Sequence, residues 1–229
     1  EDSPVVDLLV LYTAQAAFGT QRSSEQMETN IVASYEEAND GLAASGVDFT
    51  IRIVHMQQVD HKHGAVDAVY DLQENQISGV DVHALRDETG ADLVQLVGLY
   101  DDTCGIGFRM SVPTTAFASY GYSVVDIDCL SSFSHIHEIG HNFGAHHDKA
   151  NAQSAHTYSY AYRECSGPEP FRTIMAYATD CLLAPRVNVF SNPDKMYDGR
   201  VQGTREENNA RVLNEAMATV VNFRERTIP

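Results

Sequence analysis

The sequence predicts an α+β fold, a mixed sheet covered by helices with a smaller, irregular lobe after it. Three observations point there. Several short segments of the first half are apolar in runs or in strict alternation, the two strand patterns. Two long stretches, Ser24 to Ala44 and Glu206 to Arg224, space their apolar residues three and four apart, as amphipathic helices do. Between Gly144 and about Gly203 periodicity fades and Pro, Asn and Asp turns accumulate. Strands interleaved with helices give a layered domain.

The elements follow in chain order. Val5 to Tyr12 (VVDLLVLY) is almost continuously apolar and reads as a central strand covered on both faces. Met27, Ile31, Tyr35, Ala38 and Leu42 form the stripe of the first long helix, with Ser23 or Ser24 as its cap and Gly46 as its stop. Val47 to Val59 alternates through Phe49, Ile51 and Ile53 as a second strand. Val66 to Asn75 and Asp81 to Thr89 read as short helices and Asp92 to Tyr100 as a third strand. Gly105 to Ser111 and Tyr122 to Asp128 read as two more strands, and Ser132 to Phe143 as a helix. Ala210, Leu213, Met217, Val220 and Val221 stripe the last helix.

Length and composition narrow the function. At 229 residues the chain fits one domain, and a chain of this size buries roughly 70–75% of its unfolded surface. It has no run of about 18 apolar residues, so no membrane span is expected. The net charge of -17 repels phosphate backbones and argues against nucleic-acid binding. The chain starts Glu1-Asp2-Ser3-Pro4 rather than with Met, a basic region and an apolar run. It therefore reads as a mature form, secreted after loss of signal and propeptide. Cys104, Cys129, Cys165 and Cys181 contain no CxxC pair, which disfavours a zinc ribbon or thioredoxin-type site. An even count in a processed chain points to two disulfides with three possible connectivities. Cys104–Cys129 and Cys165–Cys181 are preferred because neighbours close the smaller loops.

The decisive segment is His137-Glu138-Ile139-Gly140-His141-Asn142-Phe143-Gly144-Ala145-His146-His147, an HExxHxxGxxH pattern. Residues four apart on a helix differ by about 40° and rise about 6 Å, so His137 and His141 aim at one point. Glu138 lies one step round, placed to take a proton from water. Gly144 can adopt a positive φ and turn the chain sharply, which returns His147 as a third ligand. Three imidazoles leave one position open, the arrangement of catalytic rather than structural zinc. His146 is the rival third ligand; spacing from Gly144 selects His147, and His146 is expected to face solvent or lie outside the ligand set. His61-Lys62-His63 reads as a solvated turn.

With this motif the sequence resembles the metzincin clan of zinc endopeptidases, whose signature is the long histidine motif followed by a methionine turn. Thr173-Ile174-Met175-Ala176-Tyr177 resembles that turn, 28 positions after His147. The resemblance implies a mostly parallel, twisted sheet and a single catalytic domain, 1–229. An upper lobe (1–147) would carry the active-site helix and a lower lobe (148–229) the Met-turn and C-terminal helix, across a cleft. It also implies one catalytic Zn²⁺ and Met175 as an apolar floor. Asp148 after the third histidine is similar to adamalysins (reprolysins), where the acid supports the lower lobe. Tyr177, two after the methionine, is similar to astacins and serralysins, where it binds zinc or stabilises the oxyanion. The first strand and helix, the strand at Asp92, Cys104-Gly105-Ile106-Gly107 and Phe190-Ser191-Asn192-Pro193 all look like bacterial reprolysin-like secreted proteases. Phe171-Arg172-Thr173-Ile174-Met175-Ala176-Tyr177 is also similar to the bacterial peptidases that cleave beside aspartate. Adamalysin calcium ligands (Ca²⁺) cannot be placed residue by residue.

The expected activity is peptide hydrolysis by metal-activated water with Glu138 as base, in a monomer acting on protein or peptide substrates. Substrate would add as a strand along Gly105, Ile106 and Gly107. Arg186 could receive an acidic side chain in the specificity pocket, while Leu182, Leu183 and Val187 would make the pocket apolar; the apolar lining is the favoured expectation. Two alternatives remain at this point. One is a zinc hydrolase of non-peptide amides or esters, the other an inactive binding module on this fold.

Overall fold

The computed structural model describes residues 3–153 and 156–227. Its main sheet has the order β2-β1-β3-β5-β4. These strands are β1 (Val5–Thr13), β2 (Thr50–Val59), β3 (Leu93–Gly98), β4 (Gly105–Gly107) and β5 (Tyr122–Asp126). Strands β2, β1, β3 and β5 run parallel, and β4 pairs antiparallel with β5 at the edge. The sheet is therefore mixed and mostly parallel.

The central strand shows why its sequence is almost continuously apolar. Val6, Leu8, Val10 and Tyr12 enter one core, with Met27, Ile31, Tyr35, Ala38 and Leu42 of α2 (Ser24–Ala44). Leu9 and Leu11 point the other way, against Ala65, Ala68, Val69 and Leu72 of α3 (Ala65–Gln73) and Val82 of α4 (Val82–Thr89). Side chains alternate across a strand, so a strand between two helical layers is apolar at nearly every position; Asp7, the charged exception, is buried and pairs with Arg52 and Arg226. A short helix, α1 (Ala14–Gly19), leads from β1 toward α2. Met27 and Ile31 are wholly buried, each worth about 1.5–3 kcal/mol of transfer free energy.

Helix α2 has the expected span, and Ser23 caps it: its hydroxyl accepts from Gln26 N–H while the Gln26 side chain accepts from Ser23 N–H. That reciprocal pair satisfies two otherwise orphaned donors. Strand β4 is shorter than the expected Gly105 to Ser111. Past Gly107 only Phe108 N–H still donates to β5, at Tyr122 O, and Met110 N–H donates to the His141 carbonyl, so β4 ends by docking on the next helix, α5 (Ser134–Asn142). No helix of the described residues is long and apolar enough to cross a membrane.

The C-terminal segment holds more regular structure than its sequence suggested. β6 (Arg163–Glu164) pairs with β7 (Phe171–Arg172), and β8 (Asn192–Tyr197) pairs with β9 (Arg200–Gln202). The β8–β9 turn places Asp198 at φ 48° and Gly199 at φ 75°, the two positive dihedrals that an Asp-Gly hairpin turn uses. Helix α6 (Asn209–Val220) returns Ala210, Leu213, Ala216 and Val220 to the core that holds Ile136, Ile139, Met175 and Phe190. Disulfides join Cys104 to Cys129 and Cys165 to Cys181, with Cα separations of 5.5 and 5.0 Å. The first ties the approach to β4 to the turn before α5.

Candidate active site

Helix α5 is buried along its whole length. It opens on Phe133 in the left-handed region, φ 61°, and ends in a turn that decides the site. Gly144 has φ +98°; its N–H donates to His141 O and the Ala145 N–H to Gly140 O, both at 2.9 Å. This is the paired closure of a Schellman C-cap. A Cβ on Gly144 would also lie 2.6 Å from Met110 O. Glycine here lets the chain reverse and carry His147 back under the helix.

The three imidazoles converge. His147 Nε2 lies 3.1 Å from His137 Nε2 and 3.0 Å from His141 Nε2. His137 Nδ1 is 2.9 Å from Ile174 O, and His141 Nδ1 is 2.9 Å from Ala145 O. A carbonyl can only accept, so each Nδ1 carries the hydrogen and each Nε2 keeps its lone pair for a metal. Burial holds all three as neutral ligands: His141 is pushed down to about 3, His147 to about 4 and His137 well below its ordinary value. Such a donor set fits zinc. Calcium, which takes oxygen ligands, does not fit it.

His146 does not face solvent. It is 2% exposed, and its backbone carbonyl accepts from Asn209 Nδ2. The fold needs that carbonyl near α6, which turns His146 into the protein while its neighbour joins the triad.

Met175 lies directly below the helix. A Cβ on Gly140 would sit 2.7 Å from Met175 Sδ, so glycine allows the Met turn to approach this closely. Asp148 is buried; its carboxylate accepts from Tyr177 N–H at 3.0 Å and pairs with Arg163 at 3.2 Å. It thereby fixes the turn that carries Tyr177. The Tyr177 ring lies 4.0 Å from the His147 ring between centroids and parallel to His137 within 8°.

Glu138 sits between the helix and the edge strand. A Cβ on Gly105 would lie 2.7 Å from Glu138 Cγ, and one on Gly107 would lie 2.6 Å from Glu138 O. Both glycines are thus needed for this contact. Burial pushes the Glu138 carboxyl up to about 8, opposed by the Arg186 charge and a hydrogen bond from Gly107 N–H. A cation held by the three histidines would favour the ionised form further.

A cavity of about 180 Å³ opens beside these groups, lined by Thr103, Cys104, Gly105, Ser134, His137, Glu138, Tyr177 and Arg186. Arg186 NH1 donates to Ser132 O and Ser134 Oγ, at 2.9 and 3.3 Å. Its buried Nε–H has no partner, and no carboxylate lies within ion-pair distance among the described residues. Burial lowers Arg186 to about 10, so it stays cationic at neutral pH. Leu182, Leu183 and Val187, the expected apolar lining, do not border this cavity. Leu182 and Leu183 are 86% and 85% exposed, and Val187 packs with Phe171 and Val189 in a separate cluster.

The model of metallo-peptidase family M12 matches residues 2–191, from the first strand past the Met turn. The chain belongs to metallo-peptidase family M12. Membership accounts for the metzincin-like signature, and M12 metallopeptidases use zinc. A relative named peptidyl-Asp metalloendopeptidase from Stenotrophomonas maltophilia (strain R551-3) is 32% identical, over 96% of this chain and 52% of the relative. Relatives of the same name from Pseudomonas aeruginosa and Xanthomonas campestris pv. campestris are each 30% identical. They cover 98% and 96% of this chain, and 41% and 52% of themselves. The chain thus spans about half the length of the curated relatives it matches. In the solved "Structure of a chaperone-substrate complex", one chain matches with a TM-score of 0.76 at 16% identity. That match covers 98% of this chain and 36% of the other, and it shows the fold alone.

Two supports of this M12 site had no signature in the sequence. Gln95, buried in β3, donates to Ser123 Oγ and to His135 O at 2.9 Å each and accepts from Tyr35 O–H, tying α5 to the sheet and α2. Arg163 holds Asp148. A polar residue inside the apolar strand at Gln95 was the one available hint.

Proposed function

We propose that this domain is a secreted zinc endopeptidase that cuts peptide bonds beside aspartate. The observation that bears most on this reading is Arg186, a partly buried cation whose buried Nε–H has no partner, at the wall of a small cavity beside Glu138. The cavity is below the ~300–1,000 Å³ of drug-sized sites, which suits one short side chain, and an aspartate carboxylate meets the guanidinium in charge-assisted hydrogen bonds. The relatives' name points the same way, and the two disulfides accord with an extracellular setting.

Zinc held by His137, His141 and His147 supplies Lewis-acid polarisation of the scissile carbonyl and acidifies water. Substrate binds extended along Gly105, Ile106 and Gly107, adding a strand to the free edge of β4. Glu138 takes the proton of the attacking water and delivers it to the leaving amine. The Tyr177 phenol donates to the developing oxyanion. Asp148 and Met175 hold the turn and floor on which these groups sit.

Peptide-library cleavage read by mass spectrometry tests this. Cuts should cluster beside aspartate, cease with a zinc chelator, and cease in Glu138→Gln with zinc retained. Arg186→Leu should lower the preference for Asp over Leu in kcat/KM by about 10–100-fold, since a hydrogen bond to a charged group is worth ~1.5–3 kcal/mol. A fall in overall rate with that ratio unchanged would remove Arg186 from specificity. Cleavage of esters or small amides but no peptide would replace the endopeptidase reading altogether.

A further inference from the structure

A second cluster of metal-ligating atoms lies outside the active site. His61 and His63 follow directly on β2, and Asp71 lies on α3, whose first residue is Ala65. The chain bends at His63, and both imidazoles reach Asp71. His61 Nε2 is 2.8 Å and His63 Nδ1 2.7 Å from the same oxygen, Asp71 Oδ2. The three ligand atoms all lie within 4.8 Å of one another. Only one other group of three His, Cys, Asp or Glu among the described residues meets that condition, the zinc triad itself.

The surroundings suit a cation. His61 is buried, so the nitrogen on that side is pre-placed, while the His63 side chain is 64% exposed and leaves the cluster open to solvent. Burial disfavours ionisation of Asp71, yet the hydrogen bonds from His61 and His63 bring its carboxyl below the ordinary value. The carboxylate is therefore available as a ligand at neutral pH. Lys62, between the two histidines, lies 3.9 Å from Asp60 and does not enter the cluster. Gly64 comes close to the Asp102 carboxylate, which a Cβ there would meet at 3.2 Å. The expected solvated turn at His61-Lys62-His63 is thus an ordered corner in which both imidazoles are engaged.

We propose that His61, His63 and Asp71 form a second metal site, open to solvent, for a borderline divalent transition ion such as zinc. Two imidazoles and one carboxylate match such ions and not calcium or magnesium, which take oxygen ligands. The ion takes the place of the hydrogens now shared with Asp71 Oδ2; a neutral imidazole keeps its hydrogen on the other ring nitrogen, and only a charged one releases a proton on binding. The ion clamps the end of β2 to α3, one layer of the fold to another.

The test is a calorimetric titration of zinc into enzyme already carrying its catalytic zinc. Wild-type protein should show one further binding event. His63→Ala and Asp71→Asn should each weaken that event by at least about tenfold, the range for losing support at a metal site, with peptide hydrolysis by the singly loaded enzyme unchanged. His63 is exposed enough for its alanine variant to fold, and Lys62→Ala, which removes no ligand, should leave the event intact. No further event in wild-type protein, or an event of equal affinity in both variants, would overturn the assignment and leave a His–Asp–His hydrogen-bonded corner. The experiment is independent of substrate preference, so its outcome stands apart from the aspartate reading.

Discussion

Replacing Gly107 with alanine probes how the edge strand and the active-site helix are held together. The new Cβ would lie 2.6 Å from Glu138 O, 3.3 Å from Glu138 C and 3.4 Å from Glu138 Cα. Every one of these is backbone of a helix buried along its length, so no flexible side chain can yield. Ordinary carbon contacts are about 3.5–4.0 Å, so β4 and α5 must separate by the better part of an ångström. Overpacking of this kind costs about 1–3 kcal/mol, or roughly 2–12 °C in Tm for a domain of this size. Activity should fall further than stability, because a misplacement of ~1 Å at a catalytic centre costs about 100-fold. Glu138 and the substrate edge would move relative to one another, while the three histidines should keep their zinc. The assay is thermal denaturation, zinc content and kcat/KM on one peptide, with Gly79→Ala as control. Gly79 has positive φ (+77°) but no neighbour within 4 Å of an added Cβ, so it reports backbone strain without crowding. Unchanged kcat/KM in Gly107→Ala would refute the claim that this approach positions Glu138.

Other predictions concern single groups. His147→Ala should strip zinc far more than His146→Ala, read by metal content; the reverse order would reassign the third ligand. Tyr177→Phe should reduce kcat by about 100-fold, the usual loss for an oxyanion donor, at unchanged zinc content, whereas undiminished turnover would return the ring to packing. Burial pushes the Asp92 carboxyl up from 3.8 to about 6, against hydrogen bonds from Asp7 N–H and Arg224 N–H. Between those values the folded state holds a proton that the unfolded chain has released, so its contribution to stability declines as pH rises through the window. Asp92→Asn should therefore gain on wild type with rising pH, by up to about 3 kcal/mol near neutrality. Urea denaturation across the window measures this, and a pH-independent difference would refute it.

Much of this molecule follows from local sequence. The apolar run at Val5 to Tyr12, the stripe of α2 and the HExxHxxGxxH spacing each state their structure through periodicity or stereochemistry within a few residues. Gly144 is the sharpest case, because only a positive φ there returns His147, and one glycine in the spacing discloses it. The Asp198-Gly199 turn was equally local and marks a hairpin that weak alternation in its flanking strands concealed.

What the sequence could not disclose depends on partners distant in the chain. Leu182 and Leu183 are exposed while Arg186 borders the cavity beside Glu138, because lining is decided by which way the wall packs and not by hydropathy. Gln95 supports α5 from 40 residues away, and His61, His63 and Asp71 meet only because α3 folds back over the end of β2. The sequence disclosed the family and the convergence of His137, His141 and His147, since those need only spacing along one helix and its turn. The tertiary structure decided what lies opposite the metal, because a buried charge acquires its role from the groups that surround it.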